Sequence, residues 1–363
     1  MQSNINEGTF LLSFSREDLN EYIIHIGLEK FRAEQIFRGI YVQNITHFDQ
    51  LTTLAKSLRV TLDQKTLLRT FSLIKTTRSE KDNTTKFLWR LQDGLSIESV
   101  IIYEGKRVTF CVSSQVGCAL DCKFCSTGKM GFLRNLTAGE IVEQVLRMKE
   151  LAASPPTNIV FMGMGEPMLN YKQVHKASYI ISDPEGLTFS RKKITVSTSG
   201  VVPGIRRMAD EKSPFSLAVS LNAVFEEKRR EIMPVSGQYP LKDLSAAIEY
   251  YVKKLRRRVT FEYILIGGIN DSRADADRLL KFTAPFPCKI NLIPCNSQDP
   301  HYPPPDRAHV KWFNEYLNQN QRTATTRMRK GWEIQAACGQ LYASTGAREG
   351  SKITSQSGSK LKD

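Results

Sequence analysis

Hydrophobic residues follow a helical period in the first part of the chain. Ser15 opens the segment SREDLNEYIIHIGL, in which a helix-start signal precedes apolar residues at helical spacing, and residues 29–42 repeat that spacing. A third helix is expected around residues 48–58. Basic and aromatic side chains are frequent throughout these segments. We therefore predict a small helical N-terminal domain that extends over residues 1–95 together with the hairpin described next.

The period changes to strict alternation in the segment KFLWRLQDGLSIESVII, residues 86–102. Apolar and polar residues alternate on both sides of Asp93-Gly94, a dipeptide that favours a tight turn between two strands. The pattern predicts a β-hairpin that links the N-terminal domain to the rest of the chain.

From about residue 106, short β-branched runs alternate with helical segments. The clearest helix begins at Thr137, where Thr137 and Glu140 form a capping-box pattern. Such alternation favours parallel strands joined by helices. Six runs, rather than eight, predict an α/β fold with a partial (β/α)6 barrel at residues 96–346 and a functional face at the carboxyl ends of its strands. The six runs are residues 108–112, 158–163, 193–198, 216–221, 259–265 and 289–293.

Composition and charge limit the classes of protein that this chain can represent. Its 363 residues are 41% hydrophobic and 24% charged, which is typical of a globular protein large enough to bury a core without disulfides. The apolar runs are shorter than the roughly 20 residues of a membrane span, and the N-terminus lacks a signal-peptide pattern. We therefore expect a soluble, cytoplasmic protein. Residues 347–363 are polar and basic, which predicts a disordered tail.

An excess of positive charge accompanies this composition. The chain has 51 Lys and Arg against 37 Asp and Glu, a net charge of +14. Such a balance fits either a polyanionic partner or a basic but merely solvated surface.

Three of the seven cysteines form a C-x3-C-x2-C motif directly after the first predicted barrel strand: Cys118, Cys122 and Cys125. Clustered thiolates favour an iron–sulfur cluster or zinc. A zinc ribbon normally uses two pairs of ligands, and the spacing of Cys288 and Cys295 does not supply a second pair. These two are expected to be structural. Three ligands in one loop would leave one iron of a 4Fe-4S cluster open to a substrate.

The cysteine motif, with the aromatic Phe124 before its last member, resembles that of the radical S-adenosylmethionine (SAM) superfamily. The resemblance implies a 4Fe-4S cluster on the three thiols and S-adenosyl-L-methionine at the open iron, as the source of a 5′-deoxyadenosyl radical. Glycine and small polar residues follow the other predicted strands. Singly they are typical of turns, but together they would surround one SAM pocket. They are Gly165, Glu166, Ser197, Ser220, Leu221, Asn222 and Asn296.

Longer motifs narrow the resemblance to one family. The segment CVSSQVGCALDCKFCSTGKMGFLRNLTAGEIVEQV, with FMGMGEPMLN, ITVSTSGVVPGI, SLAVSLNA, KINLIPCN and QAACGQL, is similar to the RlmN-type adenosine-C2 RNA methyltransferases and their Cfr-type C8 relatives. The likeness covers roughly residues 15–345. It implies that Cys338 accepts a methyl group, that Cys111 releases the product by forming a disulfide with Cys338, and that Glu98 removes the C2 proton.

The target carbon explains why such chemistry needs a thiol and a radical. Adenine C2 is electron-poor, so it does not attack the methyl group of SAM, whereas a thiolate does.

Each residue to which the resemblance assigns a role could instead have a purely structural role. Cys338 and Cys111 could be small core residues, and Glu98 could face solvent from its strand.

The resemblance also specifies the partners. It implies 23S rRNA near the peptidyl-transferase centre, the adenosine 3′ of the anticodon in some tRNAs, and an electron donor such as flavodoxin or ferredoxin, for a monomeric enzyme. Residues 322–330 and 256–258 are the densest basic stretches, although the second could be a solvated helix end. The chain departs from the family before Cys338, because Glu333 keeps one acidic position and Gln335 replaces another.

Three alternatives stay open from the sequence. They are a Cfr-type C8 methyltransferase, a zinc-ribbon RNA-binding protein without catalysis, and a radical-SAM activating enzyme for another protein. The third would leave Cys338 and Cys111 without a role.

Overall fold

The N-terminal segment is helical, as its apolar period predicts. The computed structural model describes residues 8–327 and 329–343, so the predicted tail at 347–363 lies outside the described residues. The Ser15 hydroxyl accepts a hydrogen bond from the Asp18 backbone N–H at 3.1 Å, and the Asp18 carboxylate accepts one from the Ser15 N–H, which forms a capping box. In chain order the elements are β1 (Thr9–Phe10), α1 (Arg16–His25), α2 (Phe31–Tyr41), α3 (Lys56–Lys65) and β2 (Thr66–Leu67).

The expected third helix is displaced along the chain. The expected range, residues 48–58, contains a 3-10 turn, Phe48–Gln50, and only the first residues of α3, which begins at Lys56. Two β-branched residues, Thr52 and Thr53, separate the turn from α3, and consecutive β-branched side chains disfavour helix.

A ten-stranded sheet forms the body of the molecule. Its spatial order is β14-β13-β12-β11-β10-β9-β6-β5-β4-β3, parallel from β6 through β14 and antiparallel from β3 to β6. The elements that follow β2 are, in chain order, β3 (Ser72–Arg78), β4 (Thr85–Arg90), β5 (Ser96–Glu104), β6 (Arg107–Cys111), β7 (Gln115–Gly117), α4 (Ser126–Lys129), β8 (Phe132–Asn135), α5 (Ala138–Leu151), β9 (Asn158–Phe161), α6 (Tyr171–Ile181), β10 (Ile194–Thr198), α7 (Val202–Asp210), β11 (Ser216–Ser220), α8 (Glu226–Ile232), α9 (Val235–Gln238), α10 (Leu241–Leu255), β12 (Val259–Leu265), α11 (Arg273–Thr283), β13 (Cys288–Pro294), α12 (Arg307–Gln319) and β14 (Ala324–Thr326).

The partial barrel predicted from the sequence is confirmed. Its six predicted strands correspond to β6, β9, β10, β11, β12 and β13, and each pairs with its neighbour in parallel. The predicted helix at Thr137 is α5, with the expected capping box. A seventh parallel strand, β14, extends the sheet beyond β13. Its three residues are too few to give a periodic signal.

The predicted hairpin joins the N-terminal segment to this sheet. The strands β4 and β5 pair in antiparallel register around Asp93 and Gly94, and Gly94 has a positive φ of 83°. The strand β4 ends before residue 95 and β5 begins after it. Since β4 pairs with β5 and β5 pairs with β6, the sheet is continuous across the predicted domain boundary at residue 95. The division of the chain into folding units at that residue stays a prediction.

Among the described residues, no helix is both long and apolar enough to cross a bilayer.

A buried carboxylate fastens the segment before β3 to α5. Glu143 is fully buried and accepts hydrogen bonds from the backbone N–H groups of Thr70 and Phe71 at 2.9 Å and from the Thr70 hydroxyl at 2.6 Å. Burial raises the pKa of this carboxyl group, while the hydrogen bonds lower it.

We expect Glu143→Ala to lower the free energy of unfolding by about 3 kcal/mol, because it leaves buried N–H donors without acceptors. Urea denaturation would measure the change. The matched control is Lys149→Ala on the exposed face of α5, which should change stability by less than about 0.5 kcal/mol. Equal stability of the two variants would show that the Glu143 hydrogen bonds contribute nothing net.

Candidate active site

The loop with the three clustered cysteines lies at the carboxyl end of the sheet. It leaves β7, passes through Cys118, Cys122 and Cys125, and enters the short helix α4. Gly117 has a φ of +75°, and a Cβ there would lie 1.8 Å from the Gly131 carbonyl oxygen, so only glycine fits. The Cys118 backbone N–H donates to that same carbonyl at 2.9 Å. The small β7–β8 sheet therefore fixes where the cysteine loop begins.

The three thiols share one cavity with most of the expected SAM-binding residues. We call it the thiol cavity. Its walls come from the carboxyl ends of β9 to β13, where the sequence predicts the functional face. Residues that line it include Cys118, Cys122, Cys125, Gly165, Glu166, Ser197, Ser220, Asn222, Glu262 and Cys338.

Two expected SAM-binding residues lie outside that lining. The Leu221 side chain is buried in the core, and its carbonyl accepts a hydrogen bond from Arg229 Nε at 3.0 Å. Asn296 lines a neighbouring cavity instead. Its buried side-chain oxygen has no hydrogen-bond partner among the described residues.

The Gly165-Glu166 turn has defined geometry in the thiol cavity. Gly165 has a φ of +96°, and a Cβ there would lie 2.5 Å from the Gln115 side chain. The Glu166 carboxylate accepts hydrogen bonds from the backbone N–H groups of Met168 at 3.0 Å and Ser199 at 2.8 Å. Burial raises the pKa of Glu166, and these N–H groups lower it. The glycine therefore lets the strand approach Gln115 closely, and the carboxylate is held rigidly in the wall.

Burial raises the pKa of two of the three clustered thiols. It raises the pKa of Cys118 to about 12, and it raises the pKa of Cys122 well above its usual value, with the charges of Cys125 and Cys118 adding to the effect. The buried Arg229 guanidinium acts in the opposite direction on Cys122. Arg229 has no carboxylate partner among the described residues, and one of its terminal nitrogens lacks any hydrogen-bond partner. This cation could not be predicted from the sequence because no local motif marks it.

These residues fit the implied 4Fe-4S cluster in their chemistry. Three soft sulfur donors converge on one cavity, none is in a disulfide, and a buried cation offsets their negative charge. Within the described part of the chain, no three His, Cys, Asp or Glu side chains are gathered around a single-ion site. Thiolates of a cluster bind separate iron atoms, so the shared cavity and the donor type are the relevant test.

A second cavity lies beside the first, between β5, β6 and β9 on one side and β13 on the other. We call it the seam cavity. It is lined by Cys111, Asn296, Arg327 and Cys338 among others. Cys338 therefore lines both cavities, whereas Cys111 lines only this one. The Cys338 side chain has exposed surface toward these cavities, yet the surrounding protein raises its pKa to about 12. Burial raises the pKa of Cys111 to about 11.

The segment that contains Cys338 is fastened directly to the cysteine loop. The Ser126 backbone N–H donates to the Gly339 carbonyl at 2.7 Å, and the Thr127 hydroxyl donates to the Leu341 carbonyl at 2.7 Å. From the other side, the Gln340 amide donates to the Asn296 carbonyl at 3.0 Å. Thr127 and Gln340 are positioning residues that could not be predicted from the sequence, since their hydrogen bonds join segments far apart in the chain.

Glu98 lies next to this segment but lines neither of the two cavities. Its carboxylate accepts a hydrogen bond from the Tyr342 backbone N–H at 2.9 Å and forms an ion pair with Lys86 at 2.9 Å. The Lys86 ammonium also donates to the Gln335 carbonyl at 3.2 Å. Burial raises the pKa of Glu98, and the Lys86 charge lowers it. The Glu98–Lys86 pair therefore contacts both ends of the Cys338 segment, Glu98 at Tyr342 and Lys86 at Gln335.

The two basic stretches lie at different places. Arg327, Arg329 and Lys330 line the seam cavity with Cys338. In contrast, Arg256 ends α10 with a φ of +52°, and residues 256–258 directly precede β12 at the amino-terminal end of the sheet. Only the first stretch is next to the candidate active site.

The barrel and the thiol cavity define a radical SAM protein. The sequence model of the Radical SAM superfamily matches residues 112–280, which include the cysteine loop and the strands around it. A solved radical SAM methyltransferase from Sphaerobacter thermophilus has the same fold, with a TM-score of 0.89 and 40% identity over 93% of this chain and 100% of that one.

The chain belongs to the RlmN family. The dual-specificity RNA methyltransferase RlmN of Syntrophobacter fumaroxidans is 44% identical over 339 residues, 92% of this chain and 98% of that protein. The protein of the same description from Geotalea uraniireducens is 43% identical over 91% of this chain and 95% of its own length. Residues 9–68 match the ribosomal RNA large subunit methyltransferase N-terminal domain. The resemblance stated from the sequence motifs is confirmed.

Proposed function

We propose that this protein methylates C2 of adenosine in 23S rRNA and in tRNA through an S-methylated Cys338. The placement of Cys338 supports this proposal most strongly, because its thiol lines both the cavity of the three clustered cysteines and the seam cavity with Cys111. A group carried on that sulfur can be loaded and activated in the first cavity and delivered toward the second. The relatives described as dual-specificity RNA methyltransferases support the substrate class.

Cys118, Cys122 and Cys125 would hold the 4Fe-4S cluster, which supplies the electron for cleavage of SAM. Gly165, Glu166 and the polar residues at the ends of β10 and β11 would bind SAM in the thiol cavity. Leu221 would contribute only indirectly, because its carbonyl and N–H are already bonded to Arg229 Nε and the Glu262 carbonyl. Asn296 would contribute from the adjoining seam cavity.

The chain's own residues then act in sequence. The Cys338 thiolate would attack the methyl carbon of one SAM molecule, S-adenosylhomocysteine would leave, and the Cys338 sulfur would become a thioether. The 5′-deoxyadenosyl radical from a second SAM molecule would take a hydrogen atom from that methyl group, and the carbon left on Cys338 would bond to adenine C2 and link RNA to protein. Glu98 takes the C2 proton, a role for which its raised pKa suits it and which requires release from Lys86 or the Tyr342 N–H. Cys111 would finally bond to the Cys338 sulfur as the sulfur–carbon bond breaks, the released carbon would take a proton to complete the methyl group, and the one surplus electron would pass back to the cluster.

The seam cavity is the proposed binding place of the target base. Its lining combines apolar side chains with three cations and the two thiols, which suits a flipped adenosine and its phosphates. An unpaired adenosine is the expected target because little stacking has to be broken. Flavodoxin or ferredoxin would supply electrons to the monomeric enzyme in the cytoplasm.

Nucleoside analysis of rRNA and tRNA from cells with and without the gene tests this function. We expect 2-methyladenosine in wild-type RNA and its loss from the deletion strain. The C8 isomer, which chromatography and fragmentation distinguish, would instead assign the Cfr-type reaction. An unchanged methyladenosine content would contradict RNA methylation by this protein.

The seam-cavity cations give a prediction for RNA affinity. Replacing Arg327, Arg329 and Lys330 together by glutamine should weaken tRNA binding and reduce the slope of log affinity against log salt, by about 0.7 to 0.9 for each phosphate group that is no longer neutralised. Filter binding over a salt series would measure both. A triple glutamine variant at the exposed Lys149, Lys242 and Lys281, on α5, α10 and α11, provides the control for net charge. Equal slopes in the two variants would place the RNA elsewhere.

A further inference from the structure

A third cavity opens at the opposite end of the barrel from the active site. It occupies about 500 Å³ at the amino-terminal ends of the parallel strands, and we call it the amino-terminal mouth. Its lining combines six cationic side chains with hydroxyl and amide groups. The cations are Lys106, Arg107, Lys192, Lys193, Arg258 and Lys289.

None of these cations forms a direct ion pair among the described residues. No Asp or Glu lines the mouth, and across residues 8–327 and 329–343 none of the six forms an ion pair. Glu104 lies opposite Arg107 in the β5–β6 register, but its side chain lines the seam cavity instead. The buried Glu262 carboxylate, which lines the thiol cavity, acts on Lys289 and Arg107 through its charge. The mouth therefore concentrates a large excess of positive charge in a concave site.

Helix dipoles do not account for this arrangement. Cations commonly stabilise helix carboxyl ends from within the last turn. Here Lys106 and Arg107 lie at the β5–β6 turn, Lys192 and Lys193 in a 3-10 turn before β10, and Lys289 at the start of β13. Lys289 is half-buried, and its pKa is lowered by burial and by the nearby charges of Arg107 and Arg258, while the charge of the buried Glu262 raises it. One carboxylate against six cations leaves an excess of like charge, whose mutual repulsion a bound anion would relieve.

We propose that the amino-terminal mouth binds phosphate groups, at a site separate from the catalytic cavities. The mouth supplies the hydroxyl groups of Thr195 and Thr260 beside the cations, and a mixture of cations and neutral donors recognises the several oxygens of a phosphate. Either the RNA backbone or a free polyphosphate would present this chemistry. The two sites lie toward opposite ends of the strands. In β10, Thr195 near the amino end lines the mouth, and Ser197 near the carboxyl end lines the thiol cavity.

Titration calorimetry of the full-length protein with inorganic tripolyphosphate tests the site. We expect saturable binding that weakens at least about tenfold in the Lys192→Gln/Lys193→Gln/Arg258→Gln variant, because that variant cannot form the charge-assisted hydrogen bonds. Lys289 is left unchanged because it is half-buried. The triple glutamine variant at Lys149, Lys242 and Lys281 removes the same charge and should bind within about twofold of wild type. Circular dichroism would confirm that both variants fold.

Three results would overturn the proposal: no saturable binding by wild type, equal binding by the mouth variant, or loss of binding in an Arg329→Gln/Lys330→Gln variant while the mouth variant keeps it. Polyglutamate serves as a carboxylate probe, and equally tight binding of it at the mouth would also contradict selectivity for phosphate. Addition of unmodified tRNA and of a 23S rRNA fragment then identifies the source. Displacement of tripolyphosphate assigns the mouth to RNA backbone, and retention assigns it to a free polyphosphate.

Discussion

The Cys111→Ala protein is expected to accumulate a covalent adduct with its RNA substrate. Cys111 lines the seam cavity with Cys338 but does not line the thiol cavity, so its loss leaves the early steps intact. The thioether between Cys338 and adenine then forms without a second sulfur to release it. Denaturing electrophoresis should show a slow-migrating protein–RNA band, and turnover should fall to near zero.

Two controls make this result specific. The Cys338→Ala protein and the double variant should show no band, because neither has a sulfur to carry the methyl group. Thiol reductants should leave the Cys111→Ala band unchanged, since its link is a thioether and not a disulfide. Normal turnover by Cys111→Ala without any adduct would make Cys111 a core residue and place the releasing group elsewhere.

The Cys122→Ala protein should lose the cluster completely. Cys122 shares the thiol cavity with Cys118 and Cys125, and the open-iron arrangement needs all three thiolates. Anaerobic reconstitution should therefore give no iron–sulfur absorbance and no cleavage of SAM. Its control is Cys288→Ala, at the start of β13 and outside both catalytic cavities, which should keep full absorbance. A complete cluster in the Cys122→Ala protein would contradict the assignment of the ligands.

The strands of the barrel could be predicted because each is a compact β-branched run bounded by helical segments. The short β14 could not, since three residues carry no period, and α3 is displaced by the β-branched pair Thr52 and Thr53. Within the site, the spacing of the three cysteines is a local signal, because all three lie in one short segment of the chain. This spacing therefore predicts the cysteine loop from the sequence alone.

Other parts of the site depend on hydrogen bonds between distant segments. Thr127 meets Leu341 across 214 positions of the chain, and Glu98 meets Tyr342 across 244. Sequence patterns involve residues close together in the chain, so they do not predict such a pair. The burial of Arg229 next to Leu221 and Ser199 could not be predicted either, because the sequence of α8 has the pattern of an ordinary charged helix. The resemblance implied a role for Glu98, and the structure shows the present partners of its carboxylate, Lys86 and the Tyr342 N–H.

The passage of the methyl group through Cys338 is the central step of the proposed reaction. Peptide mass mapping after anaerobic incubation of the reconstituted protein with SAM, in the absence of RNA, measures it directly. We predict that the peptide containing Cys338 gains the mass of one methylene group, that the peptide containing Cys111 does not, and that later addition of RNA removes the gain. Methylation of RNA by a protein whose Cys338 never becomes methylated would contradict this step.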